Sequence, residues 1–406
     1  MSRVALCLAL VAFVGCKRSP ATEDAGAKTT LLASGGAPTA SAQALLPGAT
    51  CPFPDKIDKD VIIASGCVVD VTHDVFVSHG RTLTLEAGAR LRFQPNAFLE
   101  IGHQGSKLVA RGTKEKPVVF TSGAATPKPG DWIGLVFDDA VGEGTILEHA
   151  VVEYGGRESH GGQAALTVFR AFPAGRVTIR DVKFAHNLTA VSNLHDGATF
   201  GAFERNTFVG NQRALRVRAN VFAALGRDND LADAIDLVGG TVRKRGTFPK
   251  TKGPIRVLEP IEVAGEGTDT ASLTIAEGVE LRFAAKTWLE VGTAGPAELI
   301  ARKVVFTSDA EKPAAGDWVG LFFGDKTRHA LVAESRIEFA GAEEHGGDAA
   351  VTFVGQKSWQ ALDVTFVGVA FKSLLQAHFS SNGDGCDKAL DPRHGIVWAG
   401  YLEPCR

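Results

Sequence analysis

The chain has 406 residues, a formal net charge of −3, 45% hydrophobic residues and 22% charged residues. The balanced charge gives no reason to expect a nucleic-acid partner, and the apolar content is ordinary for a folded protein. Length alone would suggest two or three domains, but an internal duplication decides the organisation instead.

The N-terminus has the pattern of an export signal. Arg3 precedes the apolar run VALCLALVAFVG at 4–15, and Cys16 follows it. The run is too short to span a bilayer and is typical of a signal-peptide core. FVGC at 13–16 resembles the bacterial lipobox, which implies a signal peptide over 1–15 and a lipid on Cys16. The alternative is a plain secreted protein that is cut nearby. Lys17, in place of Asp, implies by the same resemblance the outer membrane or cell surface.

The next segment, 16–50, is rich in Ala, Gly, Ser, Thr and Pro and has no aromatic residue. Such a composition cannot bury enough apolar surface to fold, so we expect a disordered tether.

Four cysteines remain for the exported body, two near its start and two near its end. In an oxidising compartment they suggest two disulfides, with three connectivities open. We favour the pairing of cysteines that are neighbours in sequence, which would crosslink each end of the body. A metal site is disfavoured because no close CxxC spacing occurs. The four residues are Cys51, Cys67, Cys386 and Cys405.

A long segment of the chain occurs twice. PGDWIGLVF at 129–137 returns as AGDWVGLFF at 315–323, and VVFTS at 118–122 returns at 304–308. We therefore predict two homologous halves and a C-terminal cap. The predicted boundaries are 51–220 for the first half, 221–255 for a connecting segment, 256–375 for the second half and 376–406 for the cap.

Both copies alternate apolar and polar residues over runs of three to six, which predicts short strands with one buried face. The only candidate helix is VFAALGRDNDLADAI at 221–235. Short strands suit a sandwich, barrel, propeller or β-helix. The β-helix is favoured because hairpin-type NG and DG turns are rare between strands, and Asn-containing rungs recur over 198–217.

The motifs TLTLEAGARLRF, LVARGT, PVVFTS, GDWIGLVF and VVEYGG resemble those of bacterial right-handed parallel β-helix repeat proteins with a pectin lyase-like fold. The resemblance covers roughly 68–372. It implies an all-β, right-handed parallel solenoid built from two homologous halves.

That fold houses lyases and hydrolases of polysaccharides, but the NTD, GHG and RxPxxR-like signatures of those enzymes are missing from the sequence. Two hypotheses follow. The first is a non-catalytic binding or adhesive module whose partner is a polysaccharide or another envelope protein. The alternative is a polysaccharide-degrading lyase or hydrolase. Clustered acids beside Arg or Lys on one face would favour the enzyme, whereas a groove of aromatics and amides would favour binding. We expect no cofactor and no metal.

Two repeated motifs supply candidate ligand-binding residues. In GDW, the Asp is expected to cap backbone N–H groups and the Trp to cover a coil edge; paired platforms for sugar rings are the functional alternative. In HGG, the His is either an exposed loop residue or a base oriented by a carboxylate. A cluster of four Asp residues is either a polar helix face or a set of Ca²⁺ ligands. The residues are Asp131, Trp132, Asp317 and Trp318; His160 and His345; and Asp228, Asp230, Asp233 and Asp236.

Overall fold

A computed structural model describes residues 50–354, apart from 55, 103, 139, 160–163, 170–176, 197–199 and 346–348, and also three later strands. Every strand pairing within it is parallel. The chain visits its sheets in turn and then returns to the first, one coil further on. This is the predicted all-β parallel β-helix, with the right-handed sense expected of parallel crossover connections.

Three sheets form the N-terminal part of the solenoid. The first contains β1 (Val61–Ile63), β4 (Thr82–Leu85), β7 (Lys107–Arg111), β10 (Thr145–Glu148), β13 (Val177–Arg180) and β16 (Ala202–Glu204). The second contains β2 (Val68–Val71), β5 (Arg90–Phe93), β8 (Val118–Ser122), β11 (Ala150–Glu153), β14 (Lys183–Ala185), β17 (Thr207–Val209) and β19 (Asp230–Leu231). The third contains β3 (Val75–Val77), β6 (Phe98–Ile101), β9 (Gly134–Phe137), β12 (Leu166–Val168), β15 (Thr189–Asn193), β18 (Arg213–Val217), β20 (Ile235–Val242) and β22 (Ile255–Val263).

Beyond β22 the third sheet divides. One branch carries β24 (Glu280–Phe283), β27 (Val305–Ser308) and β30 (Arg336–Glu338). The other carries β25 (Trp288–Val291), β28 (Gly320–Gly324), β31 (Val351–Val354) and β33 (Phe379–Ser381). A fourth sheet contains β21 (Arg245–Phe248), β23 (Ala271–Ile275), β26 (Ala297–Arg302), β29 (Thr327–Ala333), β32 (Val364–Lys372) and β34 (Val397–Trp398).

The strands β5 and β24 are equivalent in the two sequence copies and occupy different sheets. Leu91 of the first copy lies in the second sheet, in β5. Its counterpart Leu281 lies in the continuation of the third sheet, because Leu215, Ile235, Ile255 and Leu281 follow one another in register. This strand of the second copy is therefore displaced by one face of the solenoid, and both copies belong to one continuous ladder.

The interior is a single apolar core. The predicted alternation places Leu91, Leu135, Leu281 and Leu321 inside it, and all four side chains are fully buried. Burial of each such side chain contributes about 1.5–3 kcal/mol. Alternation with Leu135 and Phe137 would place Ile133 inside as well, but Ile133 packs in a separate cluster on the outer face, because the strand begins only at Gly134.

Buried asparagines form a ladder at one corner. The Asn211 side-chain oxygen accepts hydrogen bonds from the backbone N–H of Asn187 (2.9 Å) and from its side-chain amide (2.9 Å). Asn211 in turn donates its own backbone N–H (3.0 Å) and side-chain amide (2.7 Å) to Asp233 one coil further on. Asn206 and Asn229 repeat this arrangement at a second corner. These bonds satisfy backbone groups that the turns leave unpaired.

The N-terminal end is closed by residues 50–57. Cys51 and Cys67 form the predicted disulfide, with Cα atoms 5.6 Å apart. Thr50 and Ile57 bridge to Val68 and Val77, so this segment covers the first coil. The other predicted pair, Cys386 and Cys405, lies outside the described residues, as do Cys16 and the tether.

The helix predicted over 221–235 is wrong in extent. The structure has α1 at Ala219–Ala223, and β19 and β20 follow it. Asp228 has a left-handed backbone, with φ of 64°, which is incompatible with a continuing helix. The later apolar residues Leu231 and Ile235 instead continue the second and third sheets. In the described part of the chain, no helix has the length and apolar character needed to cross a bilayer.

Candidate functional site

The Asp of each GDW motif fastens a turn. Asp131 accepts hydrogen bonds from the Ser122 hydroxyl (2.7 Å) and from the backbone N–H three residues before it (2.9 Å). Asp317 accepts the same pair of bonds from Ser308 (2.6 Å) and from the backbone N–H three residues before it (2.8 Å). One carboxylate oxygen of each Asp, Oδ2, is thus engaged within its turn.

The Trp of each GDW motif lies inside the solenoid. Trp132 stacks on Phe93, with ring centroids 4.1 Å apart, and its indole N–H donates to the carbonyl oxygen of Glu153 at 2.8 Å. Trp318 stacks on Phe283 at the same 4.1 Å and donates to the equivalent carbonyl at 2.7 Å. Both side chains are 0% exposed, so neither ring has a face that a sugar could stack on. The contacts are those of the scaffold interpretation.

His345 of the second HGG motif belongs to a cluster on the outer surface. Its ring stacks on Trp288, with centroids 4.0 Å apart and planes at 17°. Its Nε2 lies 3.3 Å from a Glu290 carboxylate oxygen, to which the Trp288 indole also donates at 3.2 Å. The His345 side chain is 38% exposed and that of Glu290 is 12% exposed. His160 of the first motif lies outside the described residues.

Three neighbouring strands place the cluster on one face. Glu290 of β25, Phe322 of β28 and Thr352 of β31 are direct partners in register, so their side chains project on the same side. The edge of the Phe322 ring system contacts His345, with centroids 5.2 Å apart. We call Trp288, Glu290, Phe322, His345 and Thr352 the aromatic pad.

Thr352 brings an unused hydroxyl to the aromatic pad. Its side chain is fully buried, and its oxygen has no hydrogen-bond partner within the described part of the chain. In the first copy the equivalent Thr167 is satisfied, because its hydroxyl bonds to the backbone of Ala164. A buried hydroxyl without a partner is costly, and because the Thr352 oxygen has no accessible surface, it lies beneath the surface of the aromatic pad rather than on it.

Lys286 and Glu344 form an ion pair at the rim of the aromatic pad, with nitrogen and oxygen 2.6 Å apart. The hydrogen bond from Lys286 to Glu344 raises the pKa of the lysine. Both groups are largely exposed, so the pair contributes little to stability.

A second polar cluster lies where the two copies meet. Asp236 is bound by both Arg213 and Arg256 at 2.8 Å, and its side chain is 3% exposed. The hydrogen bond with Asp236 raises the pKa of Arg256. Asp309 lies 4.0 Å from Arg256, and burial raises the pKa of Asp309 despite that positive neighbour. We call Arg213, Asp236, Arg256 and Asp309 the acid–arginine cluster.

Three of the four Asp residues considered as Ca²⁺ ligands have separate partners. Asp230 pairs with Lys252 at 2.8 Å, Asp233 accepts from Asn211, and Asp236 lies between two arginines. Among the described residues, no three His, Cys, Asp or Glu side chains are grouped to hold a metal ion.

Sequence reasoning found His345 but missed Trp288 and Glu290. A signal for both was present, because FLEIG in the first copy becomes WLEVG in the second. The duplicated Glu and the aromatic residue two positions before it mark the same outward strand positions, Phe98 and Glu100 in the first copy.

These features define the chain as a parallel β-helix repeat protein. A family model described as a pectate-lyase-like beta helix domain matches residues 55–175. Neither the curated proteins nor the solved structures include a match to the chain.

Proposed function

We propose that the protein is a non-catalytic, glycan-binding β-helix module that a lipid on Cys16 holds at the cell surface. The observation that carries this proposal is the aromatic pad, which presents an indole, an imidazole and a carboxylate on one outer face.

The chemistry of the aromatic pad suits a sugar. The C–H faces of a pyranose ring are apolar and pack on aromatic rings, while its hydroxyls need hydrogen-bond partners. Trp288 supplies the ring, and the Glu290 carboxylate accepts hydrogen bonds from sugar hydroxyls.

Glycan-array binding by the wild type and by Trp288→Ala tests the proposal. We expect the variant to lose roughly tenfold or more in affinity, because a hot-spot aromatic ring is worth about 2 kcal/mol or more. Phe76→Ala is the matched control, since Phe76 is an exposed aromatic residue (49%) in β3 of the first coil. Equal binding by the wild type and Trp288→Ala would remove the aromatic pad as the site. Urea midpoints for both variants establish that they remain folded.

The acid–arginine cluster favours the alternative, a polysaccharide lyase or hydrolase. A carboxyl with a raised pKa beside a guanidinium is a feature of acid–base sites, and Asp309 with Arg256 has it. We nevertheless favour binding, because Asp236 is buried and already neutralised by two arginines. A reducing-sugar assay decides between the two: release of new ends that Asp309→Asn abolishes would establish the enzyme and overturn the binding proposal.

The anchor is tested separately. Cys16→Ser should move the protein from the membrane fraction to the soluble fraction of its native host. Continued fractionation of the variant with membranes would contradict a lipid on Cys16.

A further inference from the structure

The surroundings of the aromatic pad are acidic. Glu262 lies directly next to Glu290 in register, one coil earlier, and Glu343 and Glu344 immediately precede His345. The ammonium of Lys286 is neutralised by Glu344. Glu262, Glu290 and Glu343 therefore leave a net negative field at the aromatic pad.

His345 shows what kind of group the aromatic pad accepts. A flat, polar ring with an N–H group lies parallel to Trp288 at 4.0 Å and reaches the Glu290 carboxylate at 3.3 Å. A positively charged nitrogen that takes the place of the exposed His345 ring would gain from the indole face and from the carboxylate together. A carboxylate in the same place would meet Glu290 at short range and be repelled.

We propose that the ligand of the aromatic pad is a cationic amino sugar, a glycan whose rings carry free amines. This inference rests on the proposed function, because it specifies the glycan class that the same site binds. One sugar ring takes the place of the His345 imidazole on Trp288, and its ammonium pairs with Glu290. The acidic rim attracts the remaining amines of the chain and excludes uronic acids.

Calorimetric titration with three short oligosaccharides of equal length tests the inference: oligomers of glucosamine, of N-acetylglucosamine and of galacturonic acid. We expect the glucosamine oligomer to bind roughly ten- to hundredfold more tightly than its N-acetylated counterpart, as the loss of a charge-assisted hydrogen bond predicts. Glu290→Gln should abolish that preference, so that the glucosamine and N-acetylglucosamine oligomers bind the variant with similar affinity. Glu298→Gln is the matched control, because it removes one carboxylate from the fourth sheet, away from the aromatic pad.

The outcomes separate this inference from the proposed function. Tighter binding of the galacturonate or the N-acetylated oligomer, lost in Trp288→Ala, would overturn the amino-sugar class and keep the glycan module. An unchanged preference in Glu290→Gln would also overturn it. If none of the three oligosaccharides binds, the amino-sugar inference fails; if the glycan array is also negative, the proposed function fails with it.

Discussion

Because the sequence is duplicated, the same truncation of a core leucine can be made at two equivalent positions, and both should lower stability. Leu91 and Leu281 occupy equivalent strand positions in different sheets, and both are 0% exposed within the core. Truncation to Ala removes the same buried atoms and leaves a cavity at each position. We expect a loss of about 2–5 kcal/mol in the free energy of unfolding for each variant.

The neighbouring arginines are the matched controls. Arg92 makes a two-pronged ion pair with Asp70 at 2.8 Å, and the two side chains are 40% and 37% exposed. Arg282 pairs with Glu280 at 2.7 Å and is equally exposed. Solvent screens both pairs, so Arg92→Ala and Arg282→Ala should each cost only about 0.2–1 kcal/mol.

Urea unfolding followed by circular dichroism measures all four variants. The leucine variants should have clearly lower midpoints than the arginine variants, in both copies alike. If the two arginine variants are less stable than the two leucine variants, the strand register is shifted by one residue, because such a shift exchanges the inner and outer faces. A large effect in one copy and none in the other would contradict equivalent packing.

Three further predictions concern the corners, an acid and the disulfide. Asn211→Ala should cost about 3 kcal/mol or more in urea unfolding, because several buried partners of Asn211 lose their hydrogen bonds; Thr207→Ala, on the exposed face nearby, should cost less than about 0.5 kcal/mol. Asp309→Asn should stabilise the fold at neutral pH. The folded-state pKa of Asp309 is raised, so stability falls as pH rises through that pKa, and the advantage of the variant should vanish in acid, where the folded and unfolded states both hold the proton. Cys67→Ser should cost about 2–4 kcal/mol, and a reductant should destabilise the wild type more than the variant.

Contradicting results for these three are equally specific. An Asn211→Ala variant as stable as the wild type in urea would mean that water replaces the hydrogen bonds lost from the asparagine ladder. An Asp309→Asn variant that is less stable at neutral pH would show that the attraction of Arg256 outweighs burial. Equal loss of stability on reduction in the wild type and in Cys67→Ser would place the redox effect at other cysteines.

The strand pattern was predictable because alternation has a period of two, and each inward position meets the same core whatever its coil. Ile133 shows the limit: the strand begins one residue later, so the periodicity misplaces its side chain. The outward Val136 is likewise buried, in a cluster with Phe98 on the outer face. Local sequence carries no information about which coil will cover an outward residue.

The extent of the helix and the composition of the candidate site could not be predicted from the sequence, because both depend on contacts between coils. Residues 221–235 have helix-like polarity, but pairing with the preceding coils draws Leu231 and Ile235 into sheets. His345 was identified as a repeated motif, whereas its partners Trp288 and Glu290 lie more than fifty positions earlier and meet it only through coil stacking. The displacement of β24 by one face has the same origin.

Indole N–H signals in a nuclear magnetic resonance titration test glycan binding at the aromatic pad most directly. The chain has five tryptophans, and Trp288→Phe assigns the signal of the residue in question. Addition of the glucosamine oligomer should shift the Trp288 signal, while the signals of the buried Trp132 and Trp318 stay in place. A saturable shift of Trp132 or Trp318 with Trp288 unmoved, or no shift of any signal at saturating oligomer, would contradict the aromatic pad as the binding site.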